Sequence, residues 1–442
     1  MAITLQKYKN KNIAIYGMGA TGFSVAKKYK KLKAKIFCWD DNKKIRNKIK
    51  KLNLPIERFW LKNTLIDNIV ISPGIDINKC KLKNYLKKNS NKIITDIDLF
   101  FELNNDAQII SITGTNGKST TCKIVEKILR TAKYNVKTLG NIGKPILSFE
   151  KSKKRCIFIL EISSYQLQYS KLFRSKHAII LNISPDHLER HKNIKNYTKV
   201  KSKIFFAQRS SDYSYINSNN KYSKSIKKLF VQKKLKSRLI YVNKSNSRIL
   251  QKNINNKFFY NNANMENLAF AYKVARNLKI SNKTIIKALN QFKGLPHRQE
   301  VIFSNKFITC INDSKATSFD ATLQCLMNFK KIYWIVGGLP KLNDKFNLNH
   351  IYRRISKAYI IGKNSKFFVK QIRNQVPYKI SYNLKNAIKH IYNDLKNTEN
   401  KHSTVLLSPA AASFDQFKNF EDRGLHFKKL VLKRLKKSYA KF

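Results

Sequence analysis

The stretch Ile109-Ile-Ser-Ile-Thr-Gly-Thr-Asn-Gly-Lys-Ser-Thr120 decides the fold of this chain. Its β-branched residues at 109, 110 and 112 predict a buried strand, which breaks at the first glycine. Apolar residues at helical spacing follow the loop, namely Ile124, Val125, Ile128 and Leu129. The stretch therefore predicts a strand, a tight loop and the start of a helix.

The loop in this stretch has the composition of a phosphate site. Gly114 and Gly117 carry no side chain, so successive N–H groups can turn toward one anion at the positive end of the helix. Lys118 adds a cation for the outer phosphates, and the hydroxyl of Ser119 or Thr120 is a Mg²⁺ ligand in such loops. The first glycine of the standard eight-residue pattern is absent, so a helix start capped by Ser or Thr is the alternative.

Length and composition limit the classes of protein that are open. A chain of 442 residues is long enough for two or three domains. It has no apolar run of membrane-spanning length and no signal-type apolar core at its start, so we expect a cytoplasmic protein without membrane insertion. The six cysteines occur singly, which fits a reducing compartment and argues against zinc or disulfide sites.

The charge of the chain is strongly positive, with 90 Lys and Arg against 25 Asp and Glu and a formal net charge of +65. Such a balance often marks a nucleic-acid binder. Here the charge is spread over the whole length, and the densest runs, at 43–51 and 221–238, lack aromatic residues interleaved for base stacking. We expect a solvated basic surface and no specific nucleic-acid partner; a nucleic-acid-binding ATPase is the alternative.

A second phosphate-type turn lies near the N-terminus. A predicted strand, Asn12–Tyr16, enters the loop 17–22 (GMGATG), and a second strand, Lys35–Trp39, ends at Asp40 and Asp41. A GxGxxG loop followed about 20 residues later by an acidic residue is the dinucleotide fingerprint and by itself predicts NAD. The same turn also suits the diphosphate of another nucleotide, so both readings stay open from the residues alone.

Other predicted strands also end in polar loops, which is where ligands bind in parallel α/β sheets. One strand ends in the Ser-Pro-Gly turn 72–74, another at Glu161, and a third delivers Asp186 and His187. A carboxylate at a strand end beside a phosphate loop predicts a Mg²⁺ ligand, although a charge at a helix start is the plainer reading of Glu161.

The rest of the chain continues the alternation of strands and helices. Asn264 and Asn267 lie one turn apart on a predicted helix, and segment 294–300 (GLPHRQE) predicts an interdomain hinge with Arg298 as a phosphate clamp. Strand segments near 312, 332–338 and 406 each enter a polar or small-residue loop. This pattern predicts a doubly wound α/β sheet in the C-terminal third.

Together the motifs GTNGKST, GNIG, EISSYQL, NISPDHLERH, GLPHR, NDSKAT and SPAAASFDQFKNFEDRG resemble those of the Mur ligases, the ATP-dependent enzymes that extend the peptidoglycan precursor by one amino acid at a time. The resemblance implies three α/β domains: a Rossmann-like domain at 1–96 that binds the UDP precursor, a central P-loop-type ATP-binding domain at 97–298, and a Rossmann-like domain at 299–442 that binds the amino acid. GMGATG, SPGI and SFDQFKNFEDRG most resemble the branch that adds D-glutamate.

The reaction that this resemblance implies is amide formation through an acyl phosphate. In this reaction ATP phosphorylates the carboxylate of UDP-N-acetylmuramoyl-L-alanine to an acyl phosphate. The amine of D-glutamate then attacks the acyl phosphate and releases phosphate. Lys118, His187 and Lys201 are the implied catalytic residues. Two Mg²⁺ ions are expected on Ser119, Glu161, His187 and a carbamylated Lys201. Lys199 and Lys203 are the alternative carbamate positions.

The resemblance also assigns the residues that bind each substrate. It implies that the N-terminal domain binds the UDP part of the precursor and not NAD. For ATP they are Gly114, Thr115, Asn116, Gly117, Lys118, Ser119, Thr120, Asn267, Arg298 and Asp313. For the UDP precursor they are Ala20, Thr21, Asp40, Asp41, Ser72, Gly74 and Asn141. For D-glutamate they are Lys315, Thr317, Lys341, Ser413 and Phe420, with Lys345 as the alternative to Lys341. We expect a monomer; another Mur or a folylpolyglutamate-type ligase is the nearest alternative.

Overall fold

The computed structural model describes residues 6–61, 65–141, 144–149, 156–260, 262–341, 344–396 and 402–436. The chain divides into two compact units, Met1–Phe292 and Lys293–Phe442. The first unit contains two β-sheets and the second unit contains one. Nearly all strand pairs in these sheets are parallel. The predicted α/β class is therefore confirmed, whereas the domain boundaries after residues 96 and 298 stay predictions.

The N-terminal sheet has four parallel strands in the order β2-β1-β3-β4. The strands are β1 (Asn12–Tyr16), β2 (Lys35–Trp39), β3 (Asn68–Ile71) and β4 (Ile93–Ile94). The helices are Ala20–Lys31, Lys43–Lys51 and Lys83–Lys88. Alternate residues of β1 face two different apolar clusters, Ile13 and Ile15 on one side and Ala14 and Tyr16 on the other, as the period of a strand requires.

The central sheet has six parallel strands in the order β10-β9-β8-β5-β7-β6. The strands are β5 (Gln108–Thr113), β6 (Val136–Gly140), β7 (Ile157–Glu161), β8 (His177–Ile180), β9 (Tyr213–Asn217) and β10 (Arg238–Val242). The helices are Asp96–Leu103, Lys118–Thr131, Ser164–Gln168, Leu188–His191, Ile194–Ser202, Ser223–Gln232, Arg248–Gln251, Asn262–Asn277 and Asn282–Asn290. One apolar cluster includes residues of both this sheet and the N-terminal sheet.

A buried carboxylate fixes the chain where the N-terminal sheet passes into the central one. Asp98 forms a capping box with Thr95 at the start of helix Asp96–Leu103. The same carboxylate accepts hydrogen bonds from the Ser170 hydroxyl at 2.7 Å and from the backbone N–H groups of residues 171–173. A buried carboxylate with this many donors is fully satisfied, so it ties the helix to the loop before β8.

The sheet of the second unit has the order β11-β12-β16-β13-β14-β15, with only the β11/β12 pair antiparallel. The strands are β11 (Glu300–Ser304), β12 (Ile308–Asn312), β13 (Ile332–Gly337), β14 (Ile355–Ile361), β15 (Tyr378–Tyr382) and β16 (Ser403–Leu407). The helices are Phe319–Leu326, Ser365–Ile372, Leu384–Lys396 and Phe420–Leu430, followed by a π-helical segment, Val431–Lys436. Apolar clusters cover both faces, with Trp334 on one side and Ile335 on the other.

Several predictions of local structure can be compared directly with these elements. The basic run at 43–51 is a surface helix in which Ile49 is the only buried residue, as expected for solvated charge. Within the described residues no helix is long and apolar enough to cross a membrane. Segment 294–300 lies at the start of the second unit and enters β11, and its role as a hinge stays a prediction. The last two residues of the GNIG motif lie outside the described residues.

We expect Gly22→Ala to lower the free energy of unfolding by about 1 to 3 kcal/mol, because a Cβ at this position would lie 2.1 Å from the carbonyl oxygen of Gly17. Gly19→Ala is the matched control, since a Cβ there meets no described atom within 4 Å. Urea unfolding of both variants measures the difference. Equal stability of the two variants would contradict this view of the turn.

Candidate active site

The predicted phosphate loop is a tight turn between a strand and a helix, with glycine at positions 114 and 117. It leaves β5 at Gly114 and enters helix Lys118–Thr131 at Gly117, and both glycines have positive φ, +153° and +85°. A Cβ on Gly117 would lie 2.2 Å from Oδ1 of Asn267, so only glycine fits against that amide. The hydroxyl-bearing residues Ser119 and Thr120 are buried in the first turn of the helix.

A neighbouring strand-end loop holds the phosphate loop in place. The N–H of Thr115 donates to the carbonyl oxygen of Asn182 at 3.0 Å, and the N–H of Asn116 donates to Oδ1 of the same residue at 2.9 Å. The N–H of Ser184 donates in return to Oγ1 of Thr115 at 3.0 Å. Because β8 lies beside β5, the loop that follows β8 is part of the same sheet edge.

Two lysines converge on the phosphate loop. Nζ of Lys118 donates to the carbonyl oxygens of Gly114 and Thr115, both at 2.8 Å. Nζ of Lys201 donates to the same Gly114 carbonyl at 2.9 Å and to Oγ1 of Thr113 at 3.3 Å. Burial, together with the charge of Lys118, lowers the pKa of Lys201 well below its ordinary value.

The environments of the three candidate carbamate lysines differ. Lys201 is 1% exposed and faces the phosphate loop, whereas Lys199 is exposed on the same helix. Nζ of Lys203 donates instead to the backbone carbonyl of Gln168 at 2.6 Å. Among these three, Lys201 is therefore the lysine whose amine reaches the loop.

His187 follows the β8 loop and lies next to a tyrosine. Its backbone is left-handed, with φ of +54°, and its Nδ1 is hydrogen-bonded to the hydroxyl of Tyr165 at 3.0 Å. Its Nε2 lies 3.4 Å from Oδ2 of Asp186. Burial raises the pKa of Tyr165 to about 12, so this hydroxyl stays protonated at neutral pH. Sequence reasoning missed Tyr165, although the EISSYQL motif contains it.

Glu161 ends β7 on the other side of β5. Its side chain is buried, and Oε1 accepts a hydrogen bond from Nδ2 of Asn141 at 3.3 Å. Its Oε2 is buried with no hydrogen-bond partner among the described residues. A buried carboxylate oxygen without a donor suits a hard cation such as Mg²⁺.

The other predicted metal ligands fit less directly. No three His, Cys, Asp or Glu side chains within the described ranges form a group that could hold a metal ion. Glu161 and His187 belong to those residue types, whereas Ser119 and Lys201 do not. A Mg²⁺ site built from all four residues would therefore need the serine hydroxyl and a modified lysine, since an unmodified ammonium is not a metal ligand.

The turn predicted for the UDP precursor is shaped by its own acidic residues. Oδ2 of Asp40 accepts the N–H of Met18 at 2.7 Å, and Asp41 accepts the hydroxyl of Tyr16 at 2.6 Å and Nε1 of Trp39 at 3.1 Å. Both carboxylates thus have a structural role already. The N-terminus of the following helix has no side-chain cap, and its first residue, Ala20, is exposed.

Two other predicted precursor residues belong to the loop after β3. The hydroxyl of Ser72 donates to the carbonyl oxygen of Gly17, which places this loop against the first one. Gly74 is exposed, and Thr21 is partly exposed in the uncapped helix turn. The structure thus places the loop of Ser72 against the turn that leads from β1 into the helix of Thr21.

In the second unit, Asp313 lies buried at the end of β12. Oδ2 accepts the Ser408 hydroxyl at 2.8 Å, and Oδ1 accepts the N–H of Gln299 at 3.2 Å. Burial raises the pKa of Asp313 to about 6, against the opposing effect of Arg298. Arg298 and Asp313, the two residues predicted for ATP in this unit, are therefore close enough to interact.

The predicted D-glutamate residues fall on three loops of this unit and at the start of helix Phe420–Leu430. Nζ of Lys315 lies 5.5 Å from the ring centre of Phe420. Ser413 is buried on the loop after β16, and Lys341 is exposed on the loop after β13. Thr317 is partly exposed. The loops after β13 and β16 are joined by backbone hydrogen bonds between residues 339 and 412.

Arg423, in helix Phe420–Leu430, contacts these loops and was missed by sequence reasoning. It is 1% exposed and donates to the hydroxyl and carbonyl oxygens of Ser314 and to the carbonyl of Ala411, at 2.9 to 3.0 Å. Burial lowers its pKa to about 10. Its NH1 is buried without a partner among the described residues. The motif FEDRG contains it, but nothing in the spacing distinguishes it from a surface arginine.

Comparisons with known proteins show the family of the chain. Residues 112–284 match the family described as the Mur ligase middle domain. A UDP-N-acetylmuramoylalanine--D-glutamate ligase of Rickettsia bellii is 36% identical over 451 aligned residues, which cover 96% of this chain and 98% of the relative. The chain belongs to the Mur ligase family. A relative of the same name from Agrobacterium fabrum is 30% identical, with 96% of each chain covered.

Solved structures of a Mur ligase and of a folylpolyglutamate synthase share the fold. The UDP-N-acetylmuramate-alanine ligase of Thermotoga maritima superposes with a TM-score of 0.55 at 14% identity, covering 97% of this chain and 99% of the other. A folylpolyglutamate synthase/dihydrofolate synthase of Yersinia pestis gives a TM-score of 0.53 at 16% identity, covering 78% and 93%. At these identities the likeness shows the Mur ligase fold alone.

We expect the pH dependence of stability to change in Asp313→Asn. The pKa of Asp313 is about 6 in the folded state against 3.8 in the unfolded state, so the folded state binds the proton more tightly. This carboxylate therefore lowers stability progressively as pH rises from about 4 to about 6, by up to about 3 kcal/mol. Relative to the wild type, Asp313→Asn should gain stability across that interval.

Urea unfolding at pH values between 4 and 7 measures the difference. Asp320→Asn, at an exposed position of the same unit, is the control. A difference between Asp313→Asn and the wild type that does not change with pH would contradict the expectation.

Proposed function

We propose that this Mur ligase adds D-glutamate to UDP-N-acetylmuramoyl-L-alanine in peptidoglycan precursor synthesis, with release of ADP and phosphate. Similarity over nearly the whole length to relatives of that name supports this activity. The structural observation that carries it is the phosphate loop, whose Gly114 carbonyl is contacted by two lysines and whose neighbouring strand ends at a buried, incompletely bonded Glu161.

The chemistry follows from the weakness of a carboxylate as an electrophile. A carboxylate oxygen of the precursor attacks the γ-phosphorus of ATP, the bond to ADP breaks, and an acyl phosphate forms. The amine of D-glutamate then attacks the acyl carbon, loses a proton, and the tetrahedral intermediate expels phosphate as the amide forms. Two anions meet in the first step, so the site must supply positive charge.

The phosphate loop supplies that charge from the chain itself. The backbone N–H groups at Gly117 and at the start of the helix at Lys118 bind the phosphates of ATP, since those of Thr115 and Asn116 donate to Asn182. Lys118 turns from its carbonyl partners to the γ-phosphate. Asn267, packed on Gly117, holds the loop in its left-handed conformation. Thr115, Asn116, Ser119 and Thr120 complete the loop. The family pattern also assigns Arg298 and Asp313 to ATP.

Bound Mg²⁺, two ions by the family pattern, would screen the γ-phosphate from the precursor carboxylate. We propose that Ser119, Glu161, His187 and carbamylated Lys201 hold these ions. The buried Oε2 of Glu161, which has no hydrogen-bond partner among the described residues, supports the assignment of Glu161. The hydroxyl of Tyr165 is hydrogen-bonded to Nδ1 of His187 and orients its imidazole.

Burial supports carbamylation at Lys201. A lysine amine reacts with CO₂ only when it is unprotonated, and the lowered pKa of Lys201 favours the neutral form. The nitrogen attacks the carbon of CO₂ and loses a proton, so a cation that would repel Mg²⁺ becomes an anion that binds it.

The substrates occupy the other two loop clusters in this proposal. The UDP precursor binds the turns that contain Ala20, Thr21, Asp40, Asp41, Ser72 and Gly74, with Asn141 from the central sheet. D-Glutamate has two carboxylates, which the cations Lys315 and Lys341 suit, and Thr317, Ser413 and Phe420 complete its site. Lys345 remains the alternative to Lys341. We propose three domains, 1–96, 97–298 and 299–442, and a cytoplasmic monomer.

Phosphate release from ATP tests the activity. The reaction contains UDP-N-acetylmuramoyl-L-alanine with D-glutamate, L-lysine or L-alanine, and the product is weighed by mass spectrometry. We expect release only with D-glutamate and a product heavier by one glutamyl residue. Phosphate release that depends on neither the precursor nor the amino acid would contradict the proposal.

We expect Lys201→Ala to be inactive and partly restored by acetate, because a small carboxylate can take the place of the carbamate beside the phosphate loop. Lys199→Ala, at the exposed position on the same helix, is the matched control and should retain activity without acetate. Phosphate release measures both. Full activity of Lys201→Ala would contradict the assignment of the carbamate to Lys201. Rescue by acetate of Lys203→Ala, and not of Lys201→Ala, would move the carbamate to Lys203.

A further inference from the structure

Arg190 connects two segments of the first unit. It lies in the short helix Leu188–His191, three residues beyond His187, and its side chain is 8% exposed. Its guanidinium donates to the backbone carbonyl of Ile75 through NH2 and to that of Gly74 through NH1, the latter at 3.4 Å. Both acceptors belong to the loop after β3, which we call the 72–77 turn.

The other side of the guanidinium faces the central sheet. Nε of Arg190 donates to Oε1 of Gln168 at 2.7 Å, and its Cζ lies 5.3 Å from the ring centre of Tyr165. That tyrosine is the hydrogen-bond partner of His187. The planar guanidinium therefore contacts, at once, the 72–77 turn and the residue that orients His187.

A second tyrosine closes the same contact. Cζ of Arg190 lies 5.8 Å from the ring centre of Tyr169, whose hydroxyl accepts the N–H of Ile77 at 3.1 Å. Asp76 of the turn contributes a carboxylate 3.9 Å from Nε. The guanidinium of Arg190 thus contacts two carbonyl oxygens, one amide oxygen, one carboxylate and two aromatic rings. An arginine on the protein surface makes far fewer contacts.

We infer that Arg190 is a positioning residue that fixes the 72–77 turn relative to the segment carrying His187. The inference rests on the proposed function, in which the precursor extends from the turn of Ser72 and Gly74 to the phosphate loop. A substrate that spans two segments reacts fast only when their separation is already set, because its carboxylate must meet the γ-phosphate within a fraction of an ångström. Arg190 sets that separation before the substrate binds.

The steady-state test uses the full chain and two substitutions. Arg190→Gln keeps a polar side chain of similar reach but loses the fork of donors; we expect kcat/KM for the precursor to fall about 100-fold, shared between a higher KM and a lower kcat. The KM for ATP should stay within about twofold. Arg190→Lys, which keeps the charge, should recover part of both losses.

Arg174→Gln is the matched control. Arg174 forms two hydrogen bonds with buried Asp212, at 2.7 and 3.0 Å, just before β8 and therefore at the opposite end of that strand. Its loss should lower stability without raising the precursor KM. Kinetics of Arg190→Gln equal to those of the wild type would overturn the inference. So would a fall in kcat/KM that is equal for ATP and for the precursor and that Arg174→Gln also shows.

A second variant covers the case in which Arg190→Gln does not fold. Gln168→Leu removes only the acceptor of Nε, and we expect a rise of about three- to tenfold in the precursor KM. An unchanged precursor KM in Gln168→Leu, with Arg190→Gln misfolded, would also overturn the inference.

Hydrogen exchange separates this inference from the proposed function. Without substrates, the peptide covering residues 74–80 should exchange faster in Arg190→Gln than in the wild type or in Arg174→Gln. If the wild type shows no ligation of D-glutamate, the proposed function fails, yet faster exchange at 74–80 still supports the contact. Unchanged exchange there argues against the positioning role even when ligation is observed.

Discussion

The backbone carbonyl of Gly114 is the point on which the candidate site depends. Two lysine side chains, those of Lys118 and Lys201, donate to this one oxygen. Two positive charges held close together inside a protein repel each other, so the pair favours either the loss of one proton or the binding of an anion. Burial and the charge of Lys118 lower the pKa of Lys201, so the proton is lost more easily from Lys201.

The order of strands in the central sheet then explains why the other groups are near. β8, β5 and β7 are adjacent and parallel, so their carboxyl ends bring the loop of His187, the phosphate loop and Glu161 to one edge. The second unit follows the same rule, because β12 and β16 are neighbours and Asp313 meets Ser408 where they end. The chemistry of each unit is thus a consequence of parallel pairing and of loops placed at one edge.

Much of this edge is predictable from the sequence. The strand before Gly114, the helix after it and the strand ends at Glu161 and Asp313 follow from apolar periodicity, because a buried parallel strand must end where polar residues begin. The left-handed glycine at 117 also follows, since the motif requires close backbone approach. The family resemblance adds Lys201, which helix periodicity alone treats as one of three solvated lysines.

The contacts that position these residues are not predictable in the same way. Asn182, Tyr165, Arg190 and Arg423 act through partners that lie far away in the sequence, and only the tertiary fold brings those partners together. The acidic residues after β2 show the converse, because the sequence suggests a ligand for Asp40 and Asp41, while the fold supplies each carboxylate with donors from its own sheet. Spacing identifies the type of group at a strand end, and tertiary packing decides what that group contacts.

The central claim is that the phosphate loop activates a carboxylate as an acyl phosphate. The direct measurement uses UDP-N-acetylmuramoyl-L-alanine labelled with ¹⁸O in its carboxylate, ligated to D-glutamate with unlabelled ATP, and determines the isotope content of the released phosphate by mass spectrometry. Our account predicts one ¹⁸O atom in each phosphate released, because the oxygen that attacks phosphorus leaves with it. Amide formation with phosphate that carries no ¹⁸O would contradict it.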